Sequence, residues 1–293
     1  MALTEASVRT GRVDWSRYLR LTAFLGPAAL YAMLFIVVPY TDLLAYSFWK
    51  TENYVTIREF SLQNYDRIVG SGPYISVIGN SLLVAGIVTI CALLFGYALA
   101  FYVAFFTGLR RQILYFLMVI PLWTSFLLRA FIWRIILGRE GVINSGLAWL
   151  GIADEPISLF LFNRFSVCVA LTYVFVPFVA IPVYTALEKI PRDTLEASMD
   201  LGASPTFTLW RVILPLSLPA VIAGAMFTFC LSFGDFIAPA LLGGPGGIMI
   251  ASIIISQFGA AFDWPFGSAL AVVVITVVGF VVALARWAER RYE

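Results

Sequence analysis

Residues 196–219 read EASMDLGASPTFTLWRVILPLSLP. The first half of this stretch carries Glu196, Asp200 and Arg211 around a Gly202 and a Pro205, and from Val212 onward no charge occurs before Asp235. Such a change of character reads as a crossing from water into hydrocarbon, where backbone polar groups must be satisfied within the segment and about 20 apolar residues are needed to span.

The same pattern recurs along the chain. Of 293 residues 61% are apolar or aromatic and 12% charged, against roughly 25% charged in a soluble domain. Charge-free runs cover Leu21–Thr41, Ile68–Leu109, Gln112–Leu128, Phe165–Leu187, Val212–Gly234 and Trp264–Ala285. They predict an all-α polytopic membrane protein with six transmembrane helices. The second helix is expected to start near Val77, after the loop-like Gly70-Ser71-Gly72-Pro73. The third is expected to run on toward Leu137, and the fifth through Asp235 toward Leu242.

Orientation follows from the 19 Lys and Arg. With both termini inside, twelve of them face the cytoplasm and five the outside, the bias that sets topology. The opening stretch is then cytoplasmic. The division is a cytoplasmic tail over 1–20 and a six-helix domain over 21–293, with a cytoplasmic loop at 188–211. The first apolar run exceeds a signal-peptide core and is expected to anchor the chain.

Composition also narrows the chemistry. The chain has no His, its Cys91, Cys168 and Cys230 all fall within spans, and its net charge of +2 points to no nucleic-acid partner. There is no Gly-Lys pair and hence no phosphate loop. The reading is of a non-enzyme with no catalytic residue, no metal and no cofactor of its own.

In the loop, Asp193 and Glu196 match a helix-start capping pattern, predicting a short helix from about Thr194 to Leu201. Gly202 is placed to end it, since glycine enters the left-handed region freely. Ser204-Pro205 restarts a helix with Ser as cap and Pro in the first turn. A cap and a stop are also ordinary loop furniture. Asp200, however, lies in the last turn, where a negative charge opposes the helix dipole and more naturally answers something outside.

The loop resembles the signature of permease subunits of binding-protein-dependent type I ABC importers: Glu-Ala-Ala, three residues, Gly, nine residues, then Ile-x-Leu-Pro. Here it is Glu196-Ala197-Ser198, Gly202, and Val212-Ile213-Leu214-Pro215. Ser and Val replace Ala and Ile, changes that leave the helix and its face intact. Ile120 to Arg129, Gly234-Asp235-Phe236, Pro239 to Pro245 and Asp263-Trp264-Pro265-Phe266-Gly267 look like the first of the two permeases of spermidine/putrescine importers. The resemblance implies a bacterial inner-membrane subunit working with a second permease, a homodimeric ATP-binding subunit that holds ATP and Mg, and a periplasmic substrate-binding protein. It implies that Glu196, Ala197, Ser198, Asp200 and Gly202, with Leu214 and Pro215, couple to the ATPase.

Other solutes fit the same architecture: an opine or amino-acid derivative, an aminophosphonate or ferric iron. A secondary transporter would call for inverted repeats, and none is evident in the sequence.

Ionisable groups within spans are costly and are functional candidates. At ~1.5 Å per residue, Asp42, Arg129 and Asp235 lie about 25–30 Å from the inner ends of their helices, near the outer face. An Arg129–Asp235 ion pair, or snorkelling of each group, is the structural alternative. With Trp123, Phe126 and Tyr173, whose rings attract ammonium groups, these residues are the candidates for the translocation path. Gly243 to Gly247 and Asp263 to Gly267 are outer-loop candidates for the binding protein, and loop geometry explains them equally well.

Overall fold

The computed structural model describes residues 15–105, 110–153, 155–157 and 160–289. Its first span is α1 (Trp15–Ala32), a wider π-helical turn at Met33–Val37, and α2 (Val38–Ser47). The turn has a cause. Val38 N–H reaches back five residues to Met33 O just before Pro39, and the widened turn gives room to a ring that offers no N–H and crowds the carbonyl four residues back. Positions 1–14 of the predicted tail lie outside the described residues. Positions 15–20, the end of the expected tail, are helical and continuous with α1.

A hairpin, β1 (Lys50–Glu52) and β2 (Val55–Ile57), follows, with Lys50 opposite Ile57. Its two turn residues, Asn53 and Tyr54, have φ of 49° and 64°, the doubly left-handed turn that matches strand twist. Helix α3 (Gln63–Gly70) leads to α4 (Gly72–Phe105). The second span therefore starts at Gly72, not Val77: Pro73 sits in the first turn, where its missing N–H costs nothing.

The third span is not straight. Helix α5 (Arg111–Val119) and the 3-10 turn Ile120–Trp123 meet α6 (Phe126–Ile136) at a bend of 97°. Thr124 and Ser125 are extended, and Thr124 Oγ1 donates back to Pro121 O at 2.7 Å, closing the first helix. With this pair counted as one crossing, the described residues hold six candidate spans.

After α7 (Val142–Trp149), α8 (Arg164–Glu188) crosses the centre of the bundle. The loop region is α9 (Arg192–Asp200) and α10 (Pro205–Thr208), the latter passing through a π turn at Leu209–Ile213 into α11 (Leu214–Phe233). Leu214 N–H again bonds five residues back, to Leu209 O, immediately before Pro215. The fifth span stops at Phe233 instead of continuing through Asp235. Gly234 ends the helix, and a separate π turn follows at Pro239–Gly243. Helix α12 (Ile250–Phe258), absent from the sequence reading, is too short to span. Asn80 Nδ2 donates to Ile248 O and Ser81 Oγ accepts from Ile250 N–H, fixing its start to α4. Helix α13 (Trp264–Glu289) is the last span.

Helices α4, α8 and α11 form the core. They meet at Val179: a Cβ added to Gly96 of α4 would lie 2.8 Å from Val179 Cβ, and one added to Gly224 of α11 would lie 3.1 Å from Val179 Cα. Small residues let backbones approach where lipid provides no hydrophobic drive between helices. The first span is peripheral: its most apolar window has no buried residue, and α2 packs on α13.

Candidate functional site

At one end of the bundle the quoted stretch forms a lever. Helix α9 has no buried residue; Glu196, Ala197, Met199 and Asp200 are exposed. It starts at Arg192, with Pro191 as its cap residue and no side-chain capping bond. The predicted Asp193–Glu196 capping box is therefore absent, because Asp193 already lies inside the first turn, where its charge suits the helix dipole.

The helix ends on a double closure. Gly202 N–H donates to Met199 O at 2.9 Å and Ala203 N–H to Ser198 O at 3.1 Å, with Gly202 at φ 82°. This is the Schellman arrangement, and it needs the left-handed residue that glycine supplies. Ser204 accepts from Phe207 N–H at 3.3 Å and Pro205 occupies the first turn of α10 as expected. Across the turn, Ser198 Oγ lies 3.0 Å from Thr208 Oγ1.

Glu196 and Asp200, four residues apart, share one exposed face, and among the described residues neither is in an ion pair. Like charges at this spacing weaken a helix by a few tenths of a kcal/mol. Beside them Leu201 is 89% exposed, and a groove of about 660 Å³ runs between α9 and α10, lined by Ala197, Leu201, Phe207 and Val212. An acidic helix face thus stands next to bare apolar side chains. At the same end Arg111 Nη2 meets Glu188 Oε1 at 3.1 Å, pinning α5 to the end of α8.

The outer candidates separate. Phe126, Arg129 and Phe175 come together where α6 packs on α8: the Arg129 guanidinium lies 5.6 Å from the Phe126 ring centre, and Phe126 and Phe175 are 6.2 Å apart. Arg129 is 7% exposed, its Nη1 donates to Val174 O at 3.4 Å, and its buried Nε has no partner among the described residues. Tyr173 stands edge-on to Trp133 at 5.5 Å, in an apolar groove of about 480 Å³. Trp123, at the bend, is 73% exposed and edge-on to Phe116.

Asp235 is as buried as Arg129, but among the described residues no ion pair joins them. Its Oδ1 accepts from Ala238 N–H at 2.9 Å, capping the turn that follows α11. Asp42 is exposed on α2, apart from this group.

The two outer-loop candidates are engaged within the chain. Asp263 accepts from Thr51 Oγ1 at 2.8 Å, from Arg67 Nη1 at 3.0 Å and from Phe266 N–H at 3.3 Å, and Arg67 lies 3.9 Å over the Phe266 ring. Gly244, at φ 53°, and Gly247 pack on the turn before α8: an added Cβ at Gly244 would meet Phe162 O at 2.5 Å. Nearby, hydrogen bonds to Glu52 and Glu59 raise the Lys50 pKa above its usual value. Sequence reasoning missed Thr208 and Asn64, which donates to Ser47 O and Trp49 O; both are polar residues whose partners are known only once the chain is folded.

A kinked six-span bundle with an exposed, tightly closed helix leading into one span is the architecture of ABC importer permeases. Residues 92–293 match the family described as the inner membrane component of binding-protein-dependent transport systems, and the chain belongs to it. It is 34% identical over 260 residues to the spermidine/putrescine transport system permease protein PotB of Escherichia coli, covering 88% of this chain and 94% of that one. The PotB of Haemophilus influenzae is 36% identical over 242 residues, 82% of this chain and 84% of that one. A chain of a bacterial ABC transporter involved in the import of the acidic polysaccharide alginate has the same fold, with a TM-score of 0.76 at 18% identity over 95% of this chain and 97% of that one.

Proposed function

We propose that this permease forms half of the path by which an ATP-driven importer moves a polyamine such as spermidine or putrescine. The observation that carries the reading is the 34% identity to a spermidine/putrescine permease across 88% of the chain. In this reading a second permease supplies the other half of the path, a homodimeric ATP-binding subunit holds ATP and Mg, and a periplasmic protein delivers the solute. Both termini face the cytoplasm, as the distribution of Lys and Arg supports. Lipid covers the remaining apolar surface.

The mechanism follows from the lever. Closure of the ATPase pair presses on α9, through Glu196, Ala197, Asp200 and the exposed Leu201. The Schellman closure at Gly202 joins α9 to α10 through a short turn, and α10 continues through Leu214 and Pro215 into α11, so a displacement at the loop becomes a tilt of the span. The close crossing at Val179 is the point about which α4, α8 and α11 move together. The chain itself makes and breaks no covalent bond. At the outer end the rings of Trp123, Phe126 and Tyr173 suit ammonium groups. Asp235 supplies a negative charge there, Arg129 orders the α6–α8 contact, and Asp42 lies at the margin.

Uptake of labelled spermidine and putrescine into proteoliposomes holding the complete complex and its loaded binding protein tests the substrate. Accumulation that needs internal ATP supports the reading. A complex that hydrolyses ATP in response to an aminophosphonate, an opine or ferric iron, and ignores both polyamines, would replace it.

A further inference from the structure

The lever has a part that its turn does not provide. Helix α9 exposes or half-exposes every residue, and its one apolar anchor is Leu195, partly packed on the core. An apolar contact of that kind tolerates sliding, since it has no direction. The backbone link at 201–204 is short but includes a glycine. Neither feature by itself fixes the angle of α9 against a load.

Ser198 Oγ and Thr208 Oγ1, 3.0 Å apart, do supply a direction. Thr208 is 3% exposed, so its hydroxyl is held in place by packing, and water does not readily compete for the bond. Its position matters further: it is the last residue of α10, directly before the π turn Leu209–Ile213. Ile213, at the far side of that turn, is buried among Val179, Val183 and Leu187. A push on α9 that passes through this bond reaches the root of α11 without crossing the Gly202 turn.

We infer that Ser198 and Thr208 form a hydroxyl clasp that sets the angle of α9, making Thr208 a positioning residue for energy coupling. The inference rests on the proposed importer mechanism. Loss of the clasp leaves α9 attached but loosely aimed. Work done by the ATPase is then lost in the turn, and fewer solute molecules move for each ATP hydrolysed.

The test uses the complete reconstituted complex with its binding protein and spermidine, measuring uptake and hydrolysis together. Thr208→Val keeps the shape and removes the hydroxyl; Thr208→Ser keeps the hydroxyl. Thr208→Val should lower spermidine moved per ATP by roughly three- to ten-fold, the range one intramolecular hydrogen bond supplies. Thr208→Ser should restore most of it, and Ser198→Ala with Thr208→Val should be no worse than either alone. Wild-type yield with Thr208→Val, equal damage from Thr208→Ser, or additive losses in the double variant would overturn the clasp. If the wild-type complex itself shows no coupled hydrolysis, the importer reading falls, and the clasp falls with it.

Discussion

Gly96→Ala tests the idea that α4, α8 and α11 share one tight crossing. The new Cβ would lie 2.8 Å from Val179 Cβ, 2.9 Å from Val179 Cγ1 and 3.1 Å from Val176 O. Carbon atoms rest at about 3.5–4.0 Å, so the helices must separate by up to about 1 Å. Val179 has no free side to retreat to, because Gly224 of α11 brings its own backbone against Val179 Cα. Overpacking of this kind costs about 1–3 kcal/mol. At about 2–4 °C per kcal/mol, Tm should fall by about 2–12 °C. A thiol-reactive dye reports the transition in detergent, since Cys168 is buried and Cys91 and Cys230 half-buried in the fold. Adding Val179→Ala removes the Cγ1 clash and leaves the Cβ clash, so it should recover only part of the loss. An unchanged Tm for Gly96→Ala would refute the crossing.

Other substitutions separate shape from charge. Gly202→Val forces a β-branched residue to φ 82°, which costs about 1–3 kcal/mol locally; it should abolish solute-stimulated ATP hydrolysis while the permease still folds, as read by its Tm. Asp235→Asn keeps an oxygen for Ala238 N–H and removes the charge, so assembly should persist and spermidine uptake should fall; Asp235→Ala should damage both, measured by co-purification and uptake. Asp263→Ala removes the acceptor shared by Thr51 and Arg67, and limited proteolysis should then cut the hairpin faster than in the wild type.

The spans were legible because long charge-free runs have one physical solution in lipid, and the lever was legible because glycine, serine and proline stood where closure, cap and first turn require them. Boundaries were harder. Pro73 looked like loop and is helix, since proline is harmless in a first turn. Pro121 lies inside an apolar run that reads as one helix, and the 97° bend depends on Thr124 turning its hydroxyl back onto the backbone. Asp235 read as a charge within a span, whereas the helix ends before it and its carboxylate caps the next turn. Helix α12 escaped because nine apolar residues have no periodic or length signal that separates them from a loop edge. Arg129 and Asp235 match in depth, which allows an ion pair as the structural alternative, but depth alone does not say which way two side chains face.

The most direct measurement of the central claim is ATP hydrolysis by the complete complex in lipid, with the loaded binding protein added, for the wild type and for Glu196→Ala and Gly202→Val. The account predicts that the binding protein and spermidine raise the wild-type rate and that both variants assemble but respond weakly or not at all. Variants that respond as the wild type does, or a wild-type chain that assembles with no ATPase, would contradict it.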